Sequence, residues 1–283
     1  MKVMDYCLKC LKGLAERTVT LSGDNGSILP DCLGLIDELW NKRQTPSDIS
    51  NRLLKYIKQR TNVYDPYVSI KESELKEAKR AVEELKNRFT RSLEGALKLS
   101  ALGNSMDFFI HDGYGQGGFE FSGDIDKIEE EIYIKGKEVL ILGDNVGDLL
   151  FDMGLVKFLE SNGKRVYYAV KEHPVQNDLS MVDVFKFDLR KIFDNIISTG
   201  TDEVGIKRED MKGKVKDLWE GDAVVIAKGM GNYETISEFH TERPVIYIMK
   251  IKCPTVGEAV HKKVGTHIAI LGGEYDGNKK RLL

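Results

Sequence analysis

The sequence predicts an α/β fold, a mostly parallel open sheet set behind an all-helical N-terminal domain, and three observations predict it. Up to about residue 105, apolar residues recur at mixed three- and four-residue spacing, as one buried helix face requires. From about Glu138, short β-branched or apolar runs alternate with spacers of about 15–25 residues, room enough for crossover helices. Acids, amides, hydroxyls, a lysine and glycines then collect directly after four of these runs. In open parallel sheets that is the edge where ligands bind.

Taken in order, Tyr6–Glu16, Pro30–Asn41, Pro46–Thr61, Lys71–Ser92 and Glu94–Leu102 carry the helical period. Leu75, Ala78, Ala81, Val82, Leu85 and Phe89 form the clearest stripe, and the mixed-charge run Lys71–Arg91 around it is expected to be a solvated face. Thr45 before Pro46 suits an N-cap and first helical position. The expected strands are Val139–Leu142, Val166–Val170, Asn195–Ser198, Ala223–Ala227, Val245–Lys250 and His267–Leu271. The expected domains are therefore helical over 1–105 and α/β over 138–283. A connector or lid over 106–137 joins them, containing Gly113, Gly115, Gly117, Gly118 and Gly123.

The chain has 283 residues, of which 41% are hydrophobic and 31% charged, so it has material for a sizeable core and disorder of the whole is not expected. A net charge of −3 gives no support to wholesale binding of nucleic acid or an anionic membrane. No apolar run approaches the roughly 18–20 residues that cross a bilayer. Asp5, Lys9 and Lys12 interrupt any hydrophobic signal region, so a cytoplasmic location is expected. Four cysteines do not make a disulfide scaffold.

After the first strand comes Gly143-Asp144-Asn145-Val146-Gly147-Asp148, which can present two oxygen ligands to one cation from a single turn. Asp178, beyond the second strand with Asn177, can supply a third. Three oxygen ligands, completed by water and phosphate, suit a hard divalent ion such as Mg²⁺ or Mn²⁺. The same Asp-Asn pair also suits a helix N-cap. Thr199-Gly200-Thr201 after the third strand and Lys228-Gly229-Met230-Gly231-Asn232 after the fourth can offer backbone N–H groups to an anion, the second at a helix start. Lys228 adds a full positive charge.

Several signatures are missing: no G-x-x-x-x-G-K-[ST], no G-x-G-x-x-G after the first strand, no H-E-x-x-H and no G-x-S-x-G. The acidic strand end is not an Asp-x-Asp pair, so an aspartyl-phosphate nucleophile is not supported. Of five histidines only His173 falls near the proposed site, and a surface or structural role suits it. Cys7 and Cys10 form a C-x-x-C pair whose thiols share one helix side. They suit a metal or redox role, or two small buried residues at helix spacing.

The ordered set Met4-Asp5-Tyr6-Cys7-Leu8-Lys9-Cys10, Gly103-Asn104-Ser105-Met106-Asp107, Gly143–Asp148, Asn177-Asp178, Ser198–Thr201 and Lys228–Glu234 resembles the metal-dependent damage-control phosphatases. That family was long described as a domain of unknown function, with one branch described as protein-glutamate O-methyltransferases. The C-x-x-C and the Gly-Asn-…-Asp element are similar to its first, archaeal-type subfamily. The resemblance implies a helical region packed on a Rossmann-like domain, and metal ligands at Asp144, Asn145 and Asp178. It also implies Lys228 at the phosphate, Asn104 and Asp107 lining the same cleft, and an activity-related Cys7–Cys10 pair. The arginine-threonine-lysine element of the sugar-phosphate-preferring relatives is not found, so their substrates are not carried over.

The expected activity is hydrolysis of phosphomonoesters of small metabolites, damaged or side-product compounds among them, with Mg²⁺, Mn²⁺, Co²⁺ or Ni²⁺ as cofactor. Lys228 and the turns holding Thr199, Gly200, Thr201, Gly229, Gly231 and Asn232 would then stabilise the transferring group. Three alternatives stand beside it: an S-adenosylmethionine-dependent carboxyl methyltransferase, a non-catalytic phosphometabolite-binding protein, and a C-x-x-C redox protein. The expected partner is a small phosphorylated metabolite, with neither nucleic acid nor membrane.

Overall fold

All six expected strands form, and a seventh joins them. The computed structural model describes residues 5–85, 87–89, 91–105, 119–241 and 243–272. The helical region holds α1 (Asp5–Leu21), α2 (Leu29–Asn41), α3 (Pro46–Thr61), α4 (Val68–Leu85) and α5 (Leu93–Gly103). Then follow β1 (Phe121–Gly123), α6 (Ile125–Ile134), β2 (Glu138–Leu142), α7 (Asp148–Ser161), β3 (Arg165–Val170), α8 (Met181–Lys186) and β4 (Ile196–Ser198). The chain continues through α9 (Gly213–Glu220), β5 (Val224–Lys228), α10 (Gly229–Ile236), β6 (Val245–Lys250), α11 (Pro254–Ala259) and β7 (His267–Gly272). At the start of α3, Thr45 accepts the Asp48 N–H at 3.2 Å with Pro46 beside it, as the sequence anticipated.

The sheet runs β1-β7-β6-β5-β2-β3-β4. Every neighbouring pair is parallel except β6 and β7, which are antiparallel. Residues 106–137, expected as a connector or lid, supply β1 and α6 to this layer over their described part. Residues 106–118, with Asp107, lie outside the described residues.

Alternation along the strands divides the core in two. Val139 and Ile141 of β2, with Val166, Tyr168, Ile226 and Ile248, pack under α5, α6 and α7 through Leu97, Ile132, Leu155 and Leu159. Leu140 and Leu142, with Ala169, Val225 and Ala227, pack on the opposite face against Val215, Leu218 and Trp219 of α9. A separate cluster of Leu14, Ile36, Leu53 and Ile57 holds α1 to α3 together, whereas Leu75 of α4 and Leu97 of α5 belong to the sheet's core. The helical region is thus partly its own layer and partly a cover on the sheet.

Lys71 and Glu74 of α4 are fully buried, so the expectation that the charged run is a solvated face fails for these two. Lys71 is held by Asp183 at 2.9 Å and Asp65 at 3.3 Å, partners too distant in sequence for helix periodicity to announce. Among the described residues no helix is long and apolar enough to cross a membrane.

Candidate active site

From β2 the chain runs through β3 to β4 on one side, then returns to β5 and β6 on the other, so winding reverses between β2 and β5. Ligands of open α/β sheets sit at this reversal, beyond the carboxyl ends. Gly143 leaves β2 where a Cβ would collide with the Tyr168 ring. The loop after it pairs with the loop after β3: Asn145 and Asp178 form an antiparallel bridge. Leu179 N–H donates to the Asp144 carbonyl at 2.8 Å and Val146 N–H to the Asn177 carbonyl at 3.1 Å. Asp144, Asn145 and Asp178 are therefore brought together by main-chain pairing of two strand ends.

Across the reversal, Gly229 opens α10 with φ +75°, and a Cβ on it would overlap the Asp144 carboxylate. Glycine is required here twice over, for the left-handed backbone and for the approach of the acid. Asn104, buried at the end of α5, donates through Nδ2 to Asp144 at 2.6 Å and to Asp148 at 3.1 Å, while its Oδ1 accepts the Lys250 N–H at 3.1 Å. One amide thus ties the helical cover, the acidic loop and the end of β6 together.

The electrostatics of the cleft are dominated by buried acids. Burial raises the Asp144 carboxyl, with the Lys252 ammonium opposing that shift most strongly. Burial pushes Asp148 up to about 7 against the pull of Lys228, and Asp178 up to about 7 against that of Lys171. Burial also lowers Lys171, which is held by the Gly205 carbonyl and lies 3.8 Å from Asp178. Asp148 Oδ1 is buried and, among the described residues, has no hydrogen-bond partner. A surplus of buried negative charge, an orphaned carboxylate oxygen and donors that are all oxygen fit a hard divalent cation. Among the described residues no three His, Cys, Asp or Glu side chains converge as a ligand group. Asp144 and Asp178 with the Asn145 amide are the residues that would hold such an ion, with the orphaned Asp148 oxygen nearby in the same acidic loop.

Two expectations change. Lys228 was expected to face the phosphate. Instead its ammonium, fully buried, donates to the Ser100 carbonyl, Ser100 Oγ and Asp152 Oδ1, each at 2.7 Å, which uses all three N–H bonds. The turn Thr199-Gly200-Thr201 was expected to offer N–H groups to an anion. Those groups go to the Val170 carbonyl, Ser198 Oγ and Thr199 Oγ1 at 2.8, 2.9 and 3.4 Å, so the turn is closed on itself. Asn232 acts as a clamp, its Nδ2 donating to the carbonyls of Lys228 at 2.8 Å and Gly143 at 3.2 Å, which fixes α10 to the end of β2. Gly231 lies in the first turn of α10.

Cys7 is buried with its Sγ 3.4 Å from Thr255 Oγ1, and Cys10 is exposed. Among the described residues none of Cys7, Cys10, Cys32 and Cys253 forms a disulfide. His173 is exposed and pairs with the Tyr64 hydroxyl at 3.0 Å.

Sequence reasoning missed Asp148 and Asp152, Lys171, and Lys252. The first two had a signal: acids four apart at the start of a helix whose next four residues, Met153–Val156, are apolar or glycine face one side and must find buried partners. Lys252 had one too, since it follows β6 at the same sheet edge.

Glu234, further along α10, is pushed up to about 7 by burial. The fold holds its proton more tightly than the unfolded chain, whose value is 4.5. Its stabilising contribution is complete below 4.5 and is lost as pH rises through about 7. Glu234→Gln, neutral throughout, is expected to melt like the wild type near the lower limit and at a higher temperature by about pH 8.5, as thermal denaturation across that range would record.

Fold and cleft define the class: a Rossmann-like α/β protein with an oxygen-rich acidic site at the reversal of a mostly parallel sheet. Residues 3–268 match the damage-control phosphatase ARMT1-like domain, and the chain belongs to that family. A damage-control phosphatase from Pyrococcus horikoshii is 26% identical over 287 residues, covering 95% of this chain and 98% of that protein. One from Archaeoglobus fulgidus is 24% identical over 287 residues, covering 95% and 99%. An uncharacterized protein from Methanocaldococcus jannaschii is 25% identical over 299 residues, covering 95% of each. The crystal structure of a DUF89 family protein from Pyrococcus horikoshii superposes with a TM-score of 0.81 at 26% identity, covering 95% of this chain and 98% of that one.

Proposed function

We propose that this protein is a metal-dependent phosphatase that hydrolyses phosphomonoesters of small metabolites, with damaged or side-product compounds as its house-cleaning substrates. The observation that carries this reading is the seating of Asp144. Its carboxylate closes on Gly229 at the positive end of α10, while its loop pairs with the one bearing Asp178. Acids and a helix N-terminus converging on one cleft suit a phosphoryl group bridged to a cation. The names carried by the archaeal relatives support the same chemistry.

Asp144, Asn145 and Asp178 would hold Mg²⁺, Mn²⁺, Co²⁺ or Ni²⁺, which when bound neutralises phosphoryl charge and acidifies a water. The first-turn N–H groups of α10, which a helix leaves without intrahelical acceptors, donate to the phosphoryl oxygens. Lys252, the cation that most offsets Asp144, adds positive charge from the end of β6. Asp144 or Asp178 takes the proton of the attacking water. Asn104 and Asn232 hold the acid and the helix start in register, and Lys228 supports the site from behind through Asp152.

Metal-stripped protein assayed on p-nitrophenyl phosphate and on a panel of damaged and ordinary phosphometabolites, with each of the four metals in parallel, tests the reading. Turnover with at least one metal, abolished by chelation, is expected. Saturable binding without turnover under all four would favour a binding protein. Methyl transfer from labelled S-adenosylmethionine without added metal would favour the methyltransferase alternative.

A further inference from the structure

We infer that Glu74, a residue of the helical cover, is a positioning residue for the candidate metal site, because its carboxylate bridges the two loops that carry the ligands. The inference rests on the metal-dependent reading above and assigns a residue to that site which the reading does not use.

Glu74 is fully buried, and a carboxylate is costly to bury unless donors meet it. Its Oε1 accepts the Gly147 N–H at 3.0 Å, and its Oε2 accepts from Asn177 Nδ2 at 3.1 Å. Gly147 lies two residues after Asn145, and Asn177 is the residue before Asp178. Glu74 therefore ties the loops by side chain, next to the places where the Asn145–Asp178 bridge and the Val146–Asn177 hydrogen bond tie them by main chain. The neighbouring buried cation, Lys71, is bonded to Asp183 and Asp65.

Gly147 shows how close the approach is. It is the N-cap of α7 and has no side chain to cap that helix. A Cβ on it would come within 3.1 Å of Glu74 Oε1 and 3.2 Å of the Ala78 Cβ. Glu74 accepts the N-cap N–H, as the acid at the third position of a capping box would, but from another helix, and sets an anion at the positive end of α7. Fixing both loops to one rigid carboxylate fixes the separation of Asn145 from Asp178. Residues that orient ligands in this way typically change metal affinity by about 10–100-fold when removed.

The test is Mn²⁺ titration of the metal-free protein, reading free Mn²⁺ by electron paramagnetic resonance, with the thermal midpoint of each metal-free variant measured alongside. Glu74→Ala is expected to weaken Mn²⁺ binding about 10–100-fold. Glu74→Gln keeps the shape and can still accept at Gly147 while the Asn177 amide turns over to meet its NH₂. It is expected to recover wild-type affinity to within about threefold. Asn177→Ala, which cuts one arm from the other side, should weaken binding in the same direction, and the double Ala variant should be no weaker than Glu74→Ala by more than about threefold. If Glu74→Ala does not fold, Asn177→Ala carries the measurement. A lowered midpoint with unchanged Mn²⁺ affinity in these variants would make Glu74 a packing residue and overturn the inference. A wild type that binds no Mn²⁺, and whose thermal midpoint none of Mg²⁺, Co²⁺ or Ni²⁺ raises, would instead remove the metal-dependent reading, and Glu74's role with it.

Discussion

Asp144→Asn is expected to lose at least about 10³-fold of the phosphatase rate at saturating metal, about 4 kcal/mol of transition-state stabilisation. The substitution keeps the shape of the side chain and a carbonyl oxygen for Asn104 to donate to, so the 2.6 Å contact has a replacement. What disappears is the negative charge that would hold the cation at the start of α10. The metal-free variant should melt at or above the wild-type temperature, because Asp144 is a buried acid whose charge opposes ionisation of Asp148 and Asp178. Losing activity while keeping or gaining stability separates a functional acid from a structural one. Hydrolysis of p-nitrophenyl phosphate within about tenfold of wild type would remove Asp144 from the site.

Asp152→Ala is expected to have the largest effect on stability, about 3–5 kcal/mol by urea denaturation. Asp152 and Lys228 are both fully buried and 2.7 Å apart. The Asp152 carboxylate also accepts from Ser100 Oγ at 2.6 Å and from the Tyr168 hydroxyl at 2.8 Å. Its removal leaves an ammonium and a phenol in the core with partners missing, and desolvation is then no longer offset. Replacing both members, as Asp152→Leu with Lys228→Met, removes the stranded charge along with its partner. The double variant should recover much of the loss and show a coupling of about 2 kcal/mol or more. A loss below about 1 kcal/mol for Asp152→Ala would mean that water reaches the pair.

Much of the fold was legible because its signals are local. Runs such as Val139–Leu142 are short and apolar on successive residues, which suits a strand covered on both faces, and both faces of β2 are indeed buried. Strand β1 was not legible: three residues, Phe121–Gly123, following a glycine-rich stretch carry too little pattern to stand out, and pairing with β7 makes them a strand. Nor was the reversed direction of β7, since an apolar run has the same composition whichever way it points.

The candidate site divides in the same way. Asp144, Asn145 and Asp178 could be anticipated together because topology sends the ends of neighbouring parallel strands to one edge. The Lys-Gly-x-Gly segment at 228–231 looked like a phosphate turn because its local signal is that of a cation before a helix start. Where the ammonium goes was decided by Asp152, on a helix packed behind the sheet. The Thr199–Thr201 turn carried the residues of an anion site, yet its N–H groups are taken by its own hydroxyls and by β3.

Local patterns along the chain set the order of helices and strands, and with it the sheet edge at which acids, amides and glycines meet. Backbone periodicity and turn chemistry act over a few residues, so they can be read without coordinates. Which buried charges meet which partners was settled by packing: Lys228 with Asp152, Lys71 with Asp183, and Glu74 with neutral donors of the loops after β2 and β3. Those choices depend on which groups are desolvated side by side, and that follows from packing between segments far apart in the chain.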